Sequence, residues 1–246
     1  MKYSGKTVVG GKNWPLHLLD LHNMTLWNFS MKGSVIDSRM VPRDIFKTSL
    51  LNQYELYIKK MIKRGKFYNS WNSNDTLFSL WIGCNDIRFI KRNYNNNKKI
   101  PRLTLIFNII IQNMFNTIEK MYKTGAKNFL ILNIPPLDKA PLNDSGKYNY
   151  YKYDVMHFNT SFNIKAEILA KKYKDINIIV YNTREEYEYI MNNYKEFNLI
   201  DGHSKWSANK TANLKNYFWL DRSHISFRGN EILAKDINDL LSSINN

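Results

Sequence analysis

Three apolar runs of strand length, separated by longer stretches with helical spacing, constrain this chain most. "TLFSLWIG" (Thr76–Gly83), "NFLILNIPP" (Asn128–Pro136) and "INIIVYNT" (Ile176–Thr183) carry their apolar residues consecutively rather than alternately. A strand apolar on both sides must be covered on both faces, which is the situation of a parallel sheet wrapped by helices. Helices are predicted over Asp44–Arg64, Leu103–Lys123 with Gly125 as the C-terminal cap, Val155–Tyr173 and Arg184–Tyr194. A last helix begins near Ser226, a good N-cap, and offers Ile232, Leu233, Ile237, Leu240, Leu241 and Ile244 on one face. "MTLWNFS" (Met24–Ser30) reads as an earlier strand, Lys91–Arg102 and Leu137–Tyr153 as loops, and Phe197–Asn216 as irregular. The expectation is an α/β fold forming a single domain over residues 1–246.

Composition bounds the function. With 43% hydrophobic and 14% aromatic residues, the 246-residue chain can bury a sizeable core. Its greasiest run, Leu103–Phe115, is too short to span a bilayer. The opening "MKYSGKTVVGGKNW" lacks the apolar middle of a signal peptide. One cysteine, Cys84, allows neither an internal disulfide nor a thiolate zinc cage, and no metal or cofactor is expected. The formal net charge of +15 invites a nucleic-acid reading. Arginine, the residue for bidentate phosphate and base contacts, is scarce beside lysine. Clusters such as Lys59–Lys66 lie on a helical pattern as its solvated face, so no nucleic-acid partner is expected. Six Asn-x-Ser/Thr triplets, at Asn23, Asn28, Asn74, Asn143, Asn159 and Asn209, decide little in so Asn-rich a chain.

In a parallel α/β sheet, ligands meet the carboxyl ends of the strands. "NFSMKGS", "GCND" and "DRSH" fall at such ends or just before the last helix, and they carry Gly33, Asn85, Asp221 and His224. His224 can take and return a proton near neutral pH, and an aspartate three residues earlier can fix its tautomer. Asn85 and the Gly33 N–H are donors suited to a developing oxyanion. Each also has an ordinary structural role. Asp221 can cap a turn, Asn85 can form an Asx-turn, and Gly33 can serve its dihedrals alone. Asp86 reads as a loop cap or a supporting partner, and Cys84 as a small core residue rather than a nucleophile.

Taken in order, "NWPLHLLDLHNMTLWNFSMKGSVID", "LFSLWIGCNDI", "NFLILNIPPLDKAP" and "NYFWLDRSHISFRGNEILAKDI" resemble the SGNH (GDSL-type) hydrolases over Asn13–Ile237. The likeness is to fungal and plant GDSL esterases and lysophospholipase-like proteins. It implies a flavodoxin-like, three-layer α/β/α sandwich that hydrolyses carboxylic esters without a metal. It further implies His224 as general base, Asp221 as its orienting partner, and Gly33 and Asn85 as oxyanion donors. The family's first block, a Gly-Asp-Ser bearing the nucleophile at the end of the first strand, does not occur in these residues. No nucleophile is therefore assigned, and the strand that would carry it is expected to be missing, as in an N-terminally truncated esterase. The alternative is a non-catalytic pseudoenzyme that binds polysaccharide or an acidic surface through aromatics such as Trp206, Tyr217 and Trp219. The expected substrate is a small-molecule or carbohydrate ester, acetylated carbohydrate ahead of lipid. The resemblance also implies a secreted protein, and a monomer is expected.

Overall fold

The computed structural model of the protein describes residues 7–43, 47–62, 64–96, 103–143 and 151–244. Contacts divide it into two units, one from Asn28–Pro135 and Tyr151–Thr183, the other from Met1–Trp27, Pro136–Tyr150 and Arg184–Asn246.

The first unit holds the sheet. Strands β1 (Leu77–Leu80), β2 (Asn128–Leu132) and β3 (Asn177–Tyr181) lie in the order β1-β2-β3, all parallel. Leu77 pairs with Asn128, and Asn128 with Asn177. Central β2 buries Phe129, Leu130, Ile131 and Leu132 completely, as its unbroken apolar run requires. Four described helices belong to this unit: α2 (Leu50–Met61), α3 (Cys84–Asn96), α4 (Leu103–Tyr122) and α5 (Lys152–Lys172), α1 lying in the other unit.

Ser49 opens α2 with a capping box: its side chain accepts the Asn52 N–H while the Asn52 side chain accepts the Ser49 N–H. Helix α4 buries Phe107, Ile110, Ile111, Met114, Phe115, Ile118 and Met121, an apolar stripe at intervals of three and four. Gly125, at φ +105°, closes it. Its N–H bonds the Tyr122 carbonyl at 2.9 Å and the Ala126 N–H bonds the Met121 carbonyl at 3.3 Å, the paired bonds of a Schellman motif. Helices α4 and α5 meet through Phe107 and Phe158, 5.0 Å between centroids, and Phe115 and Phe162, 6.0 Å.

In the second unit, α1 (Trp14–Leu21) packs against α7 (Phe227–Ile244), and the Asn230 side chain accepts the Trp14 N–H at 3.0 Å. Helix α6 runs from Thr183 to Asn192, and its Tyr187 meets Phe218 edge-on at 5.0 Å. Ser226 caps α7 as predicted: its hydroxyl accepts the Arg228 and Gly229 N–H groups and donates to the Tyr217 carbonyl at 2.6 Å.

The α/β class, the parallel sheet and the seven described helices agree with the expected fold. Four readings change. Residues 23–30 form no strand; Met24 and Leu26 are exposed, and the Asn28 side chain accepts the Ser30 N–H in a local turn. Residues 91–96 are not loop but the end of α3, held by buried Ile87 and Ile90 and by a Lys91–Asp154 ion pair to α5; residues 97–102 lie outside the described residues. The helix predicted from Asp44 begins at Leu50, with residues 44–46, and so Ile45, outside the description. At the end of α7, Ile244 is exposed rather than buried. The turn-rich excursion after Leu137 is described to Asn143 and again from Tyr151. No described helix is long and apolar enough to cross a membrane.

Candidate active site

The chain between Phe218 and Ser226 folds back on itself ahead of α7. The Leu220 N–H bonds the His224 carbonyl at 2.8 Å, and the Ser226 N–H bonds the Phe218 carbonyl at 2.7 Å. This turn leaves Asp221 and His224 facing each other. His224 Nδ1 lies 2.8 Å from Asp221 Oδ2 and 3.0 Å from Oδ1. Oδ1 also accepts the Ser223 N–H at 2.8 Å and the His224 N–H at 2.9 Å. The capping role and the ring-orienting role thus coincide in one carboxylate. Partial burial works to raise the Asp221 carboxyl, but the Ser223 N–H, the His224 ring and the His224 N–H together hold it below its ordinary value. The His224 side chain is 52% exposed, and Nε2 stands on the far side of the ring from Asp221. An ionised carboxylate at Nδ1 keeps the proton on that nitrogen and the lone pair on Nε2, the arrangement of a general base.

The second pair lies in the sheet-bearing unit. After β1 the chain turns through Gly83, at φ +121°, into α3, which places Asn85 in the first turn of the helix. Gly33 sits at φ +76°, a conformation that favours glycine. The Asn85 Nδ2 donates to the Ser34 carbonyl at 2.9 Å, which ties the two predicted oxyanion donors into one cluster. That bond uses one of two amide hydrogens and aims the other. The Gly33 N–H has no acceptor among the described residues.

Two neighbours complete this cluster. Asp86 is wholly buried, and its Oδ1 accepts the Ile36 N–H at 2.9 Å. Loss of solvent pushes its carboxyl up to about 7, against the pull of the Ile36 N–H and the Arg43 charge. Arg43 was not anticipated from the sequence. Its guanidinium donates to the Gly33 carbonyl and lies 4.0 Å from the centre of the Phe89 ring. The available signal was an arginine ten residues beyond the glycine in an arginine-poor chain.

The structure therefore brings Asp221 to His224 and Gly33 to Asn85, each pair in its own unit. Cys84 retains some exposed surface as a residue, but burial pushes its thiol up to about 12, so it is not a ready thiolate. Of the three aromatics considered for a sugar platform, Tyr217 and Trp219 are buried, and the Trp219 indole donates to the Gly202 carbonyl at 3.0 Å. Trp206 is partly buried and donates to the Ala212 carbonyl at 2.8 Å.

Comparison with known proteins gives a consistent result. The family model described as GDSL-like Lipase/Acylhydrolase matches residues 9–237. An acetylesterase of Thermothelomyces thermophilus is 23% identical over 244 residues, covering 96% of this chain and 76% of that protein. An acetylesterase of Hypocrea jecorina is 22% identical over 260 residues, covering 89% of this chain and 73% of its own length. A thermolabile hemolysin of Vibrio parahaemolyticus is 20% identical over 191 residues, 76% of this chain and 40% of the hemolysin.

Proposed function

The chain belongs to the GDSL-like lipase/acylhydrolase family, a family of ester hydrolases, and from that premise we propose that it acts on acetyl esters by serine-type acyl transfer. In this reading the serine comes from a Gly-Asp-Ser segment that these 246 residues do not contain. Its hydroxyl attacks the ester carbonyl carbon while His224 Nε2 takes the hydroxyl proton. The Gly33 N–H and the Asn85 amide stabilise the negative charge that forms on the carbonyl oxygen. The carbon–oxygen bond to the alcohol then breaks, and the imidazolium returns the proton to the leaving alcohol. Water, deprotonated by the same imidazole, hydrolyses the acyl-enzyme to acetate and free serine. Asp221 holds the ring and the positive charge it acquires.

The observation that carries the reading is the 2.8 Å approach of His224 Nδ1 to Asp221 in a half-exposed side chain. The two acetylesterase relatives favour an acetyl group over a long acyl chain. The test is to fuse a Gly-Asp-Ser-bearing first strand upstream and assay 4-nitrophenyl acetate. The 246-residue chain should show little turnover, and the extended chain should hydrolyse the ester. His224→Ala in the extended chain should lower kcat by about a thousandfold or more. An extended, folded chain that is inactive, or a rate indifferent to His224→Ala, defeats the proposal.

A further inference from the structure

Three contacts fasten the Gly33–Ile36 segment to the first turns of α3. Asn85 Nδ2 holds the Ser34 carbonyl at 2.9 Å, Asp86 Oδ1 holds the Ile36 N–H at 2.9 Å, and Arg43 holds the Gly33 carbonyl while stacked 4.0 Å from Phe89. We propose that Asp86 and Arg43 are positioning residues for oxyanion recognition: they brace the backbone from the Gly33 carbonyl to the Ile36 N–H so that the Gly33 N–H and the Asn85 amide share one acceptor. The proposal rests on the oxyanion reading of Gly33 and Asn85 given above.

The choice of residue at position 86 argues for more than a helix cap. A cap needs an acceptor and is commonly solvated, whereas the Asp86 side chain is fully buried and its Oδ2 has no hydrogen-bond partner among the described residues. Leaving a buried carboxyl oxygen without a donor is unfavourable, and such costs concentrate at working sites. The charged groups around it are Arg43, which favours the ionised form, and Asp37, which opposes it. Asp37 is itself held by Arg39 and by Asn113 of α4. Arg88 also lies close enough to Arg43 to repel it. At the other end, Arg43 fixes the Gly33 carbonyl, and so restrains the peptide plane that follows Gly33. The Gly33 φ of +76° has no side chain to enforce it, so a fixed donor direction needs external restraint.

The test uses the 246-residue chain, with acetate as the oxyanion probe, followed by amide and side-chain NMR. In the parent, acetate should shift the Gly33 N–H and Asn85 Nδ2 signals together. Asp86→Ala should speed Ile36 amide exchange by about tenfold or more, with the α4 core amides unchanged, and weaken the acetate response by about fivefold or more. Asp86→Asn, which keeps an acceptor at Oδ1, should restore both to within about twofold. Arg43→Met keeps the stem on Phe89 but loses the donor, and should weaken the Gly33 response while Ile36 stays protected. Unchanged Ile36 exchange in folded Asp86→Ala, or an unchanged Gly33 response in Arg43→Met, overturns the proposal. The second outcome decides even where Asp86→Ala does not fold. Acetate that shifts neither signal in the parent defeats the oxyanion reading instead, and Ile36 exchange alone then decides whether the brace exists.

Discussion

The Asp221 carboxylate contacts the ring of His224 at 2.8 Å and, through its other oxygen, two backbone N–H groups of the same turn. Asp221→Asn keeps an acceptor for the turn but sets a neutral amide against Nδ1 in place of a carboxylate. Because the Asp221 carboxyl is held below its ordinary value, its contribution is present above the normal carboxylate range and is lost as pH falls through the depressed value. Asp221→Asn should therefore cost about 1 kcal/mol near neutral pH, a charged hydrogen bond discounted for solvation, and approach nothing at strongly acid pH. Thermal unfolding of both proteins across that range checks it, and a pH-independent difference refutes it.

Asp86 has the opposite sign. Its folded carboxyl is raised to about 7 by burial, so the folded chain retains a proton that the unfolded chain has released. Its contribution to stability is present at acid pH and is lost as pH rises from about 4 through about 7. Between about pH 5 and about pH 8 the parent should lose on the order of 2 kcal/mol more than Asp86→Asn. Parallel urea titrations of the two proteins provide the comparison, and identical slopes would contradict it.

Gly83 combines a φ of +121° with a close approach: a Cβ there would stand 2.7 Å from Ile134 Cδ1. Gly83→Ala should cost about 3 kcal/mol, backbone strain and overpacking together. A loss under about 1 kcal/mol in chemical denaturation would mean that the turn relaxes freely.

The Asn159 side chain accepts the Ile134 N–H at 2.8 Å and donates to the Ile134 carbonyl at 2.9 Å, all of it buried. Asn159→Ala strands both backbone groups and should cost about 3 kcal/mol. The same burial keeps this Asn-x-Ser triplet, and the one at buried Asn143, from carrying a glycan in the folded protein. Mass spectrometry of material from a glycosylating host should find both asparagines unmodified, and occupancy at Asn159 in folded material would refute the assignment.

The sequence was most legible where burial alone decides structure. β2 was readable because Phe129–Leu132 leaves no polar face, and the end of α4 because Gly125 supplies a backbone angle other residues resist. Met24–Ser30 misled because an apolar pattern does not supply a neighbouring strand, and no pairing is made there. Residues 91–96 misled because their helix is anchored by Asp154, some sixty residues further on. The Asp221–His224 pair was legible because three residues across a tight turn leave few other arrangements. Arg43 was not, since its partner is a backbone carbonyl and leaves no trace in residue types.

The pairing of α1 with α7 has a consequence for biosynthesis. Trp14 and Asn230, bonded to each other, are separated by 216 positions, so α1 leaves the ribosome long before its mate and must wait for that length of chain to be translated. Meanwhile β1, α4 and β2 can associate on the nascent polypeptide, and a stall short of α7 would leave α1 a ready target for chaperones.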